Sequence, residues 1–291
     1  MTSGFIPLNK PVGMSSQQAV LRVKRIVGCR KAGHTGTLDP SATGLLLIAL
    51  GKATRLSEYF LSGDKGYRAT LSFGRGTDTG DSEGEVVDAA EDFFVSAQRV
   101  EDVLERFRGR IYQRPPQASA IKINGQRAYA LFRRGLEPQM PLREVYVMSL
   151  EIVGKSMDIT PANDQVTIDV VCSKGTYIRS LAVDIGKALA VPAHLSGLVR
   201  TSLQQINLAQ AASLADLADD FRPYLLDMSI AVAALPRLDL EEREASAFMH
   251  GRTLNIPCPP GEIAVFTETR LLGIAQAEAE VVKPIKVLAQ E

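Results

Sequence analysis

The feature that most constrains the fold of this chain is its alternation of short strand-like segments with amphipathic helical segments. Strand-like alternation of apolar and polar residues runs over residues 67–73 and 165–171, because successive side chains on a strand point to opposite faces. Helical spacing of apolar residues runs over residues 93–107 and 177–189. The sequence therefore predicts a mixture of helices and strands in which no single element is long.

Two helix starts carry capping signals. Ser15 precedes a helical pattern that Gly28 ends, and Ser213 precedes a short helical pattern over residues 214–221 with Pro223 beyond it. Serine caps the first turn of a helix, and glycine accepts the left-handed conformation that stops one. After Leu235-Pro236 the pattern changes to short strand-like pieces separated by Pro and Gly, which predicts a domain boundary there.

Length and composition bound the class of protein. A chain of 291 residues with 45% hydrophobic residues is expected to form a large domain and a small one. Its longest apolar runs, residues 45–50 and 230–235, are far shorter than the roughly 20 residues of a membrane helix. The first residues lack the layout of a signal peptide. The three cysteines are far apart and form no Cys-x-x-Cys pair, which favours a reducing compartment. We expect a cytoplasmic protein.

The net charge is zero, but the charges are unevenly distributed along the chain. Residues 1–55 contain eight Lys or Arg and one acidic residue, and residues 106–143 contain nine Lys or Arg and one acidic residue. Segments kept clear of negative charge are typical of a surface that binds a polyanion. Basic side chains that merely solvate helix faces would give the same pattern, so charge alone leaves both interpretations open.

Generic motifs do not identify the chemistry. Residues 44–52 end in Gly-Lys, but six residues separate the glycines where a phosphate-binding loop has four. Residues 74–80 have one residue too many for the dinucleotide fingerprint. The histidines show no zinc-ligand spacing, so no metal site is predicted. An acidic loop lacks the spacing of a calcium site and is interpreted as a solvated turn; its acidic residues are Asp78, Asp81, Glu83 and Glu85.

Asp39 has an ordinary structural interpretation when it is taken alone. In Leu38-Asp39-Pro40, Asp would cap a helix and Pro would occupy its first position. His34 in a loop of small residues is typical of a surface side chain, and Tyr67 and Tyr177 are typical of core or half-buried positions. On residue types alone, the start of a helix is the favoured interpretation of Asp39.

A combination of segments favours a different interpretation. Residues 33–46, Gly-His-Thr-Gly-Thr-Leu-Asp-Pro-Ser-Ala-Thr-Gly-Leu-Leu, resemble the signature of the TruB family of tRNA pseudouridine synthases. Further segments resemble the family's motifs in the family's order. They are residues 9–16 (the N-terminal motif), 64–68 (the tyrosine strand), 77–81 (the turn after it), 115–125 with Tyr129 and Gly135 (the RNA-clamping insertion) and 172–181 (the second active-site motif).

The resemblance implies catalytic roles for three residues. Asp39 would be the nucleophile; an aspartate has a reference pKa of about 3.9 and is ionised at neutral pH without a separate base. Arg179 would pair with it, since the guanidinium fork can hold a carboxylate with two hydrogen bonds. Tyr67 would stack on the target uracil and is a candidate for receiving the C5 proton.

The resemblance also implies residues that bind the substrate. His34 would fill space beside the extruded nucleotide, Tyr177 would line the same pocket, and Leu198 would form its apolar wall. Extrusion of a base costs a few kcal/mol, which stacking and phosphate contacts must offset. Lys10 and the other basic residues of segments 10–31 and 106–143 are the expected source of phosphate contacts.

The fold implied by the resemblance is α+β. We expect a pseudouridine synthase domain over residues 1–235 around a central, mostly antiparallel mixed sheet, with the RNA-clamping insertion at about residues 113–143. A small PUA-like, RNA-binding β domain is expected over residues 236–291. The chain has Leu198-Val199-Arg200 where the family usually has Leu-Arg-Arg, so we expect one RNA contact to be missing at Val199.

The implied reaction is isomerisation of uridine 55 in the T-arm loop of transfer RNA to pseudouridine. Loops with splayed bases are the usual targets of sequence-specific RNA recognition. Nothing is oxidised or hydrolysed, so we expect no cofactor and no metal. We further expect a monomer that needs no protein partner and does not bind a membrane.

Two alternative functions stay open. The first is an RNA-binding chaperone of transfer RNA folding, and the second is a subunit of a guide-RNA-dependent pseudouridylation complex. Related synthases in such complexes tend to carry basic extensions that this sequence does not show. A nucleotide hydrolase is disfavoured by the failed phosphate-loop spacing.

Overall fold

The computed structural model describes residues 2–288, and half of the strands in this range belong to one large mixed sheet. The strands before residue 236 are β1 Gly4–Lys10, β2 Ala32–His34, β3 Thr43–Leu50, β4 Lys65–Phe73, β5 Arg75–Thr77, β6 Val86–Ala89, β7 Gly109–Gln113, β8 Lys122–Ile123, β9 Gln126–Arg127, β10 Arg143–Ile152, β11 Gln165–Cys172, β12 Ala193–Leu203 and β13 Ile206–Asn207.

Within residues 2–288 the large sheet has the strand order β1-β3-β12-β4-β11-β10-β7, with β2 added to β3 and β13 added to β12. Neighbouring strands along this order are antiparallel, except that β3 and β12 are parallel. This confirms the predicted mostly antiparallel mixed sheet. The sheet places the ends of β3, β4 and β12 side by side, where the candidate site lies.

Helices α1 Ser16–Val27, α3 Ala97–Glu105, α5 Ile178–Leu189 and α6 Leu214–Asp219 pack against one face of this sheet. The other α-helices of residues 2–288 are α2 Ser57–Leu61, α4 Ala128–Phe132 and α7 Glu242–Met249, and α7 packs against strands later in the chain. One buried apolar cluster joins Val20 of α1, Val103 of α3 and Leu181 of α5 to Leu71 of β4. No helix in residues 2–288 is long and apolar enough to span a membrane.

The capping signals in the sequence are confirmed. Ser15 caps α1 with a capping box, and Gly28 ends that helix in the left-handed conformation with φ of 69°. Ser213 caps α6 in the same way. The helix start expected at Asp39 is wrong: residues 38–42 form a loop that leads from β2 into β3, because Ser16 pairs with the backbone of Leu38 there.

The predicted insertion at residues 113–143 contains a short hairpin and a single helix. Strands β8 and β9 pair across Asn124-Gly125, where both residues have positive φ, 49° and 82°. This is the tight turn that Asn-Gly predicts, because these residues tolerate positive φ. Helix α4 follows directly.

The last part of the described chain forms a second sheet. Its strands are β14 Arg237–Asp239, β15 Leu254–Asn255, β16 Gly261–Thr267, β17 Arg270–Glu278 and β18 Val281–Val287. Among residues 2–288 they are ordered β14-β16-β17-β18-β15. This sheet packs against the large one: a single buried cluster contains Phe5 of β1 and Leu47 of β3 together with Phe266 of β16 and Ile274 of β17. The residue range 236–291 includes 289–291, which lie outside the described residues.

Candidate active site

Asp39 lies in the loop between β2 and β3, and the backbone on both sides of it is held firmly. The hydroxyl of Ser16 accepts a hydrogen bond from the Leu38 N–H at 2.8 Å and donates one to the Leu38 carbonyl at 2.9 Å. Lys10 Nζ donates to the Pro40 carbonyl at 3.3 Å. The carboxylate of Asp39 remains 42% exposed, so a fixed backbone presents an accessible carboxylate.

Arg179, in the first turn of α5, connects Asp39 to a second carboxylate. Its Nη2 lies 3.2 Å from Asp39 Oδ2, and its Nη1 lies 3.2 Å from Asp81 Oδ2. The same two nitrogens donate to the carbonyls of Ala118 at 3.1 Å and Thr79 at 3.4 Å. The Arg179 side chain is 9% exposed, so these four acceptors fix its direction. Arg179 is thereby paired with Asp39 as the sequence led us to expect.

The interpretation of the acidic loop as a solvated turn is wrong for Asp81, which is buried. Its side chain is 10% exposed and faces Arg179. Its other oxygen, Oδ1, accepts hydrogen bonds from Thr79 Oγ1 at 2.7 Å and from the Glu83 N–H at 3.1 Å. The neighbouring Asp78 is exposed. Burial of Asp81 is possible because every oxygen of its carboxylate finds a donor.

Tyr67 and Arg200 form a second buried pair, separate from the ion pairs that join Asp39, Arg179 and Asp81. They are register partners on β4 and β12, and Tyr67 is 8% exposed and Arg200 1% exposed. The guanidinium donates to the Leu45 carbonyl at 2.6 Å and to the Gly36 carbonyl at 3.2 Å. Burial raises the pKa of Tyr67, and the charge of Arg200 acts in the opposite direction. The sequence did not single out Arg200, although its position two residues after Leu198 lies within the motif compared with the family.

His34 and Leu198 lie at the same end of the sheet. The Nδ1 atom of His34 accepts the Gly36 N–H at 3.4 Å, and burial lowers the pKa of this imidazole, helped by the charge of Arg200. Leu198 is half-buried and lines a narrow cavity with Asp39 and Arg179.

Tyr177 precedes α5 and its backbone is clamped by the side chain of Gln113. The Gln113 Oε1 accepts the Tyr177 N–H at 3.1 Å, and its Nε2 donates to the Tyr177 carbonyl at 3.4 Å. Gln113 is 2% exposed, and it begins the predicted insertion. The insertion is therefore tied to the residues directly before Arg179.

Lys10 does not have the position that a phosphate contact requires. It is fully buried, and its ammonium group donates to the carbonyls of Pro11, Met14 and Pro40 at 2.9, 2.7 and 3.3 Å. Burial lowers the pKa of Lys10, while the charge of Asp39 acts against that shift. The predicted contact between Lys10 and RNA phosphates is wrong in this conformation, because all three of its protons are used inside the protein. Lys10 instead fastens the loop that carries Asp39.

A larger cleft, of about 930 Å³, opens beside the ion-pair chain. It lies between the insertion and α5, and Arg179 lines both this cleft and the narrow cavity at Asp39. Its walls include Tyr112, Arg114, Met140 and Lys187. Among residues 2–288, no group of three or more His, Cys, Asp or Glu side chains is arranged to hold a metal ion.

The geometry suits reaction of a carboxylate with a flat substrate. Asp39 is exposed enough to reach a bound group, and Arg179 fixes its direction through an ion pair. Tyr67 offers a ring and a hydroxyl, and Leu198 offers an apolar wall. These features permit nucleophilic attack or proton abstraction by Asp39.

Comparisons with known proteins identify the family of the chain. Residues 24–178 match the model of the TruB family pseudouridylate synthase, N-terminal domain. A protein of Symbiobacterium thermophilum named tRNA pseudouridine synthase B is 45% identical over 249 residues, which are 85% of this chain and 82% of the relative. A protein of the same name from Azoarcus sp. is 38% identical over 296 residues, which cover 100% of this chain and 96% of the relative.

A solved structure is similar to this chain in fold and in sequence. The structure of an H/ACA RNP bound to a substrate RNA containing 2′-deoxyuridine contains a chain that aligns with a TM-score of 0.75 and 27% identity. The alignment covers 99% of this chain and 85% of that chain. The family model spans more than half of the sequence, and the relatives match over nearly its whole length. This chain belongs to the TruB family of pseudouridylate synthases.

Proposed function

We propose that this protein isomerises uridine 55 of transfer RNA to pseudouridine, with Asp39 as the nucleophile. The ion pair between Arg179 and the half-exposed Asp39 carboxylate is the observation that carries the proposal. The relatives named tRNA pseudouridine synthase B, which match nearly the whole chain, support transfer RNA as the substrate. The family of pseudouridylate synthases to which the chain belongs supports the reaction.

The reaction replaces one bond to the ribose with another. The N1–C1′ bond breaks, the C5–C1′ bond forms, and the proton on C5 is replaced by one on N1. Asp39 would attack the sugar or the base, and Arg179 would hold its carboxylate in the direction of attack. Tyr67 would stack on the extruded uracil, Leu198 and Tyr177 would line the same pocket, and His34 would fill space beside the extruded nucleotide. These steps need no cofactor and no metal.

We further propose a division of labour along the chain. Residues 1–235 would carry catalysis, the insertion at 113–143 would clamp the RNA, and residues 236–291 would act as a PUA-like RNA-binding domain. Exposed basic residues support RNA contacts in the first and second of these regions: Arg22, Arg25, Lys122, Arg127 and Arg133. The protein would act in the cytoplasm as a monomer without a protein partner.

The likeness to a chain of an H/ACA RNP favours a second candidate, in which the protein works within a guide-RNA complex. The two candidates differ in what the isolated protein can do. A stand-alone synthase modifies transfer RNA without any added RNA or protein, whereas a guided subunit is inactive alone.

The test measures tritium release from transfer RNA labelled at uracil C5, using the purified wild type and its Asp39→Asn variant. Asp78→Asn is a matched control, because Asp78 is an exposed carboxylate that lacks contact with Arg179. We expect release by the wild type and by Asp78→Asn, none by Asp39→Asn, and pseudouridine in the T-loop. Inactive wild type that regains activity with a guide RNA would favour the complex. RNA folding activity that persists in Asp39→Asn would reveal a separate chaperone function.

A further inference from the structure

Arg200 is a fully buried guanidinium in the floor of the candidate active site. It is 1% exposed and lies on β12, where it faces Tyr67 across the ladder to β4. Its Nε donates to the Leu45 carbonyl at 2.6 Å, and its Nη2 donates to the Gly36 carbonyl at 3.2 Å. Its charge also acts on the Tyr67 hydroxyl, because it opposes the rise that burial causes in the pKa of that phenol. Arg200 thus links the loop before Asp39 to the tyrosine strand.

Tyr67 is the acidic side chain that lies opposite Arg200, and the other titratable groups near Arg200 are basic. Among the described residues 2–288, no ion pair joins Arg200 to a carboxylate, and the acidic side chain that faces it across the ladder is the phenol of Tyr67. Three further basic groups near it, His34, Lys10 and Lys65, each have a pKa lowered by burial and by the charge of Arg200. On the tyrosine side, Cys172 and Asp39 are the other charged or titratable neighbours of Tyr67.

A buried guanidinium without a carboxylate is costly unless its protons are bonded and a negative charge is at hand. The two carbonyls satisfy part of its donors but supply no full charge. The phenol of Tyr67 can supply one by losing its proton. A phenolate at this position would lie opposite the Arg200 charge, which offsets part of the cost that burial imposes on ionisation of Tyr67.

We propose that Arg200 is the positioning residue that lets the Tyr67 hydroxyl move the proton from C5 to N1 of the uracil. The inference rests on the proposed function, because it concerns the last step of that reaction. Arg200 fixes the hydroxyl against the floor of the site and stabilises its ionised form for the duration of the transfer.

The step balances in protons and electrons. Once the C5–C1′ bond exists, C5 carries both hydrogen and ribose, and the ring has a C6=N1 double bond. The Tyr67 hydroxyl gives its proton to N1, which leaves a cationic base and a phenolate beside Arg200. The phenolate then takes the C5 proton, the C5–H electron pair forms the C5=C6 double bond, and the C6=N1 pair returns to N1. Tyr67 ends as a phenol, and neither an oxidant nor a further base is consumed.

The experiment compares single-turnover rates on transfer RNA with protium or deuterium at C5, for the wild type, Arg200→Gln and Arg200→Lys. General acid–base groups contribute about 100-fold or more to rates, so we expect Arg200→Gln to slow turnover by about 100-fold. We expect the deuterium isotope effect at C5 to rise above that of the wild type, and Arg200→Lys to restore part of the rate. Arg68→Gln is the matched control, because Arg68 adjoins Tyr67 on β4 but is exposed and paired with Asp169.

A double-variant cycle separates positioning from a merely structural role. If Arg200 acts through Tyr67, Tyr67→Phe combined with Arg200→Gln is as slow as Tyr67→Phe alone, within about 2-fold. If Arg200 only stabilises the fold, the rate losses of Tyr67→Phe and Arg200→Gln multiply in the double variant, and the isotope effect of Arg200→Gln equals that of the wild type. That result overturns the proposal. If Arg200→Gln does not fold, Arg200→Lys takes its place in the cycle. A wild type that releases no tritium refutes the proposed function itself, whereas an active wild type with multiplying losses refutes the role of Arg200 alone.

Discussion

Asp81 offers the sharpest test of how the site holds its reactive carboxylate. It is buried, and it pairs with Arg179 at 3.2 Å, the same distance that separates Arg179 from Asp39. The Asp81→Asn variant keeps the size of the side chain and an oxygen for the loop donors, but it removes the charge that anchors Arg179 from behind. We expect Arg179 to lose its fixed direction, and Asp39 with it, while the RNA-facing surface is unchanged.

The size of the effect follows from the geometry. At 3.2 Å and an effective dielectric constant of about 20, the Coulomb attraction is about 5 kcal/mol. Desolvation cancels part of it, and a hydrogen bond to a charged group contributes about 1.5–3 kcal/mol net. Because each 1.36 kcal/mol corresponds to a factor of ten in rate, we expect turnover to fall by roughly 10- to 100-fold.

Single-turnover tritium release, measured at saturating transfer RNA, separates this loss from weaker binding. Asp78→Asn is the matched control, since Asp78 is an exposed carboxylate of the same loop whose Oδ1 accepts only the Glu85 N–H. Thermal unfolding of each variant checks that the fold is intact. A folded Asp81→Asn protein with the turnover of the wild type would refute the argument that Asp81 directs Arg179.

Three further outcomes are expected. Lys10→Met removes the donor to three carbonyls, so we expect the free energy of unfolding in urea to fall by roughly 2–3 kcal/mol. The control Lys31→Met, at an exposed lysine, should change it by no more than about 0.5 kcal/mol. Equal losses in the two variants would contradict the role of Lys10 in holding the Asp39 loop. Burial lowers the pKa of Lys65 from 10.5 to about 8, so the unfolded state binds more protons between these values. The free energy of unfolding of the wild type, relative to Lys65→Met, should therefore rise with pH across that window, and a flat difference would refute the shift. Burial raises the pKa of the Cys172 thiol to about 11, so iodoacetamide at about pH 8 should spare Cys172 but label half-buried Cys258, as peptide mass spectrometry would show.

Local signals predicted the elements that local interactions determine. The caps of α1 and α6 were predicted from Ser15, Gly28 and Ser213, and the structure contains the expected capping bonds. The alternation over residues 67–73 predicted β4, because its inward side chains pack under the helices. Such elements can be predicted from the sequence because the residues that form their capping hydrogen bonds or share one face lie within a few positions in the chain.

Asp81 and Arg200 were missed because their partners are distant in sequence. Arg200 donates to the Leu45 carbonyl, which is 155 positions away in the sequence. Asp81 is buried because it pairs with Arg179, which belongs to another motif. A charged residue in a loop of charged residues is usually solvated, and nothing within that loop distinguishes Asp81 from exposed Asp78. The prediction that Lys10 contacts phosphates failed for the same reason. A count of basic residues in a segment does not show that the Lys10 ammonium group is bonded to three carbonyls inside the protein.

The change of sequence pattern at Pro236 comes directly before Arg237–Asp239, the first strand of the second sheet, but the pattern does not show how the two sheets pack. Phe5 and Leu47 of the large sheet share a buried cluster with Phe266 and Ile274 of the second sheet. Alanine at a buried phenylalanine or isoleucine position in such a cluster costs about 2–5 kcal/mol, and here the cost falls on both sheets at once. Since β3 leads out of the loop that carries Asp39, the second sheet supports the strand behind the candidate active site. We therefore expect that loss of this packing disturbs that strand as well as the second sheet.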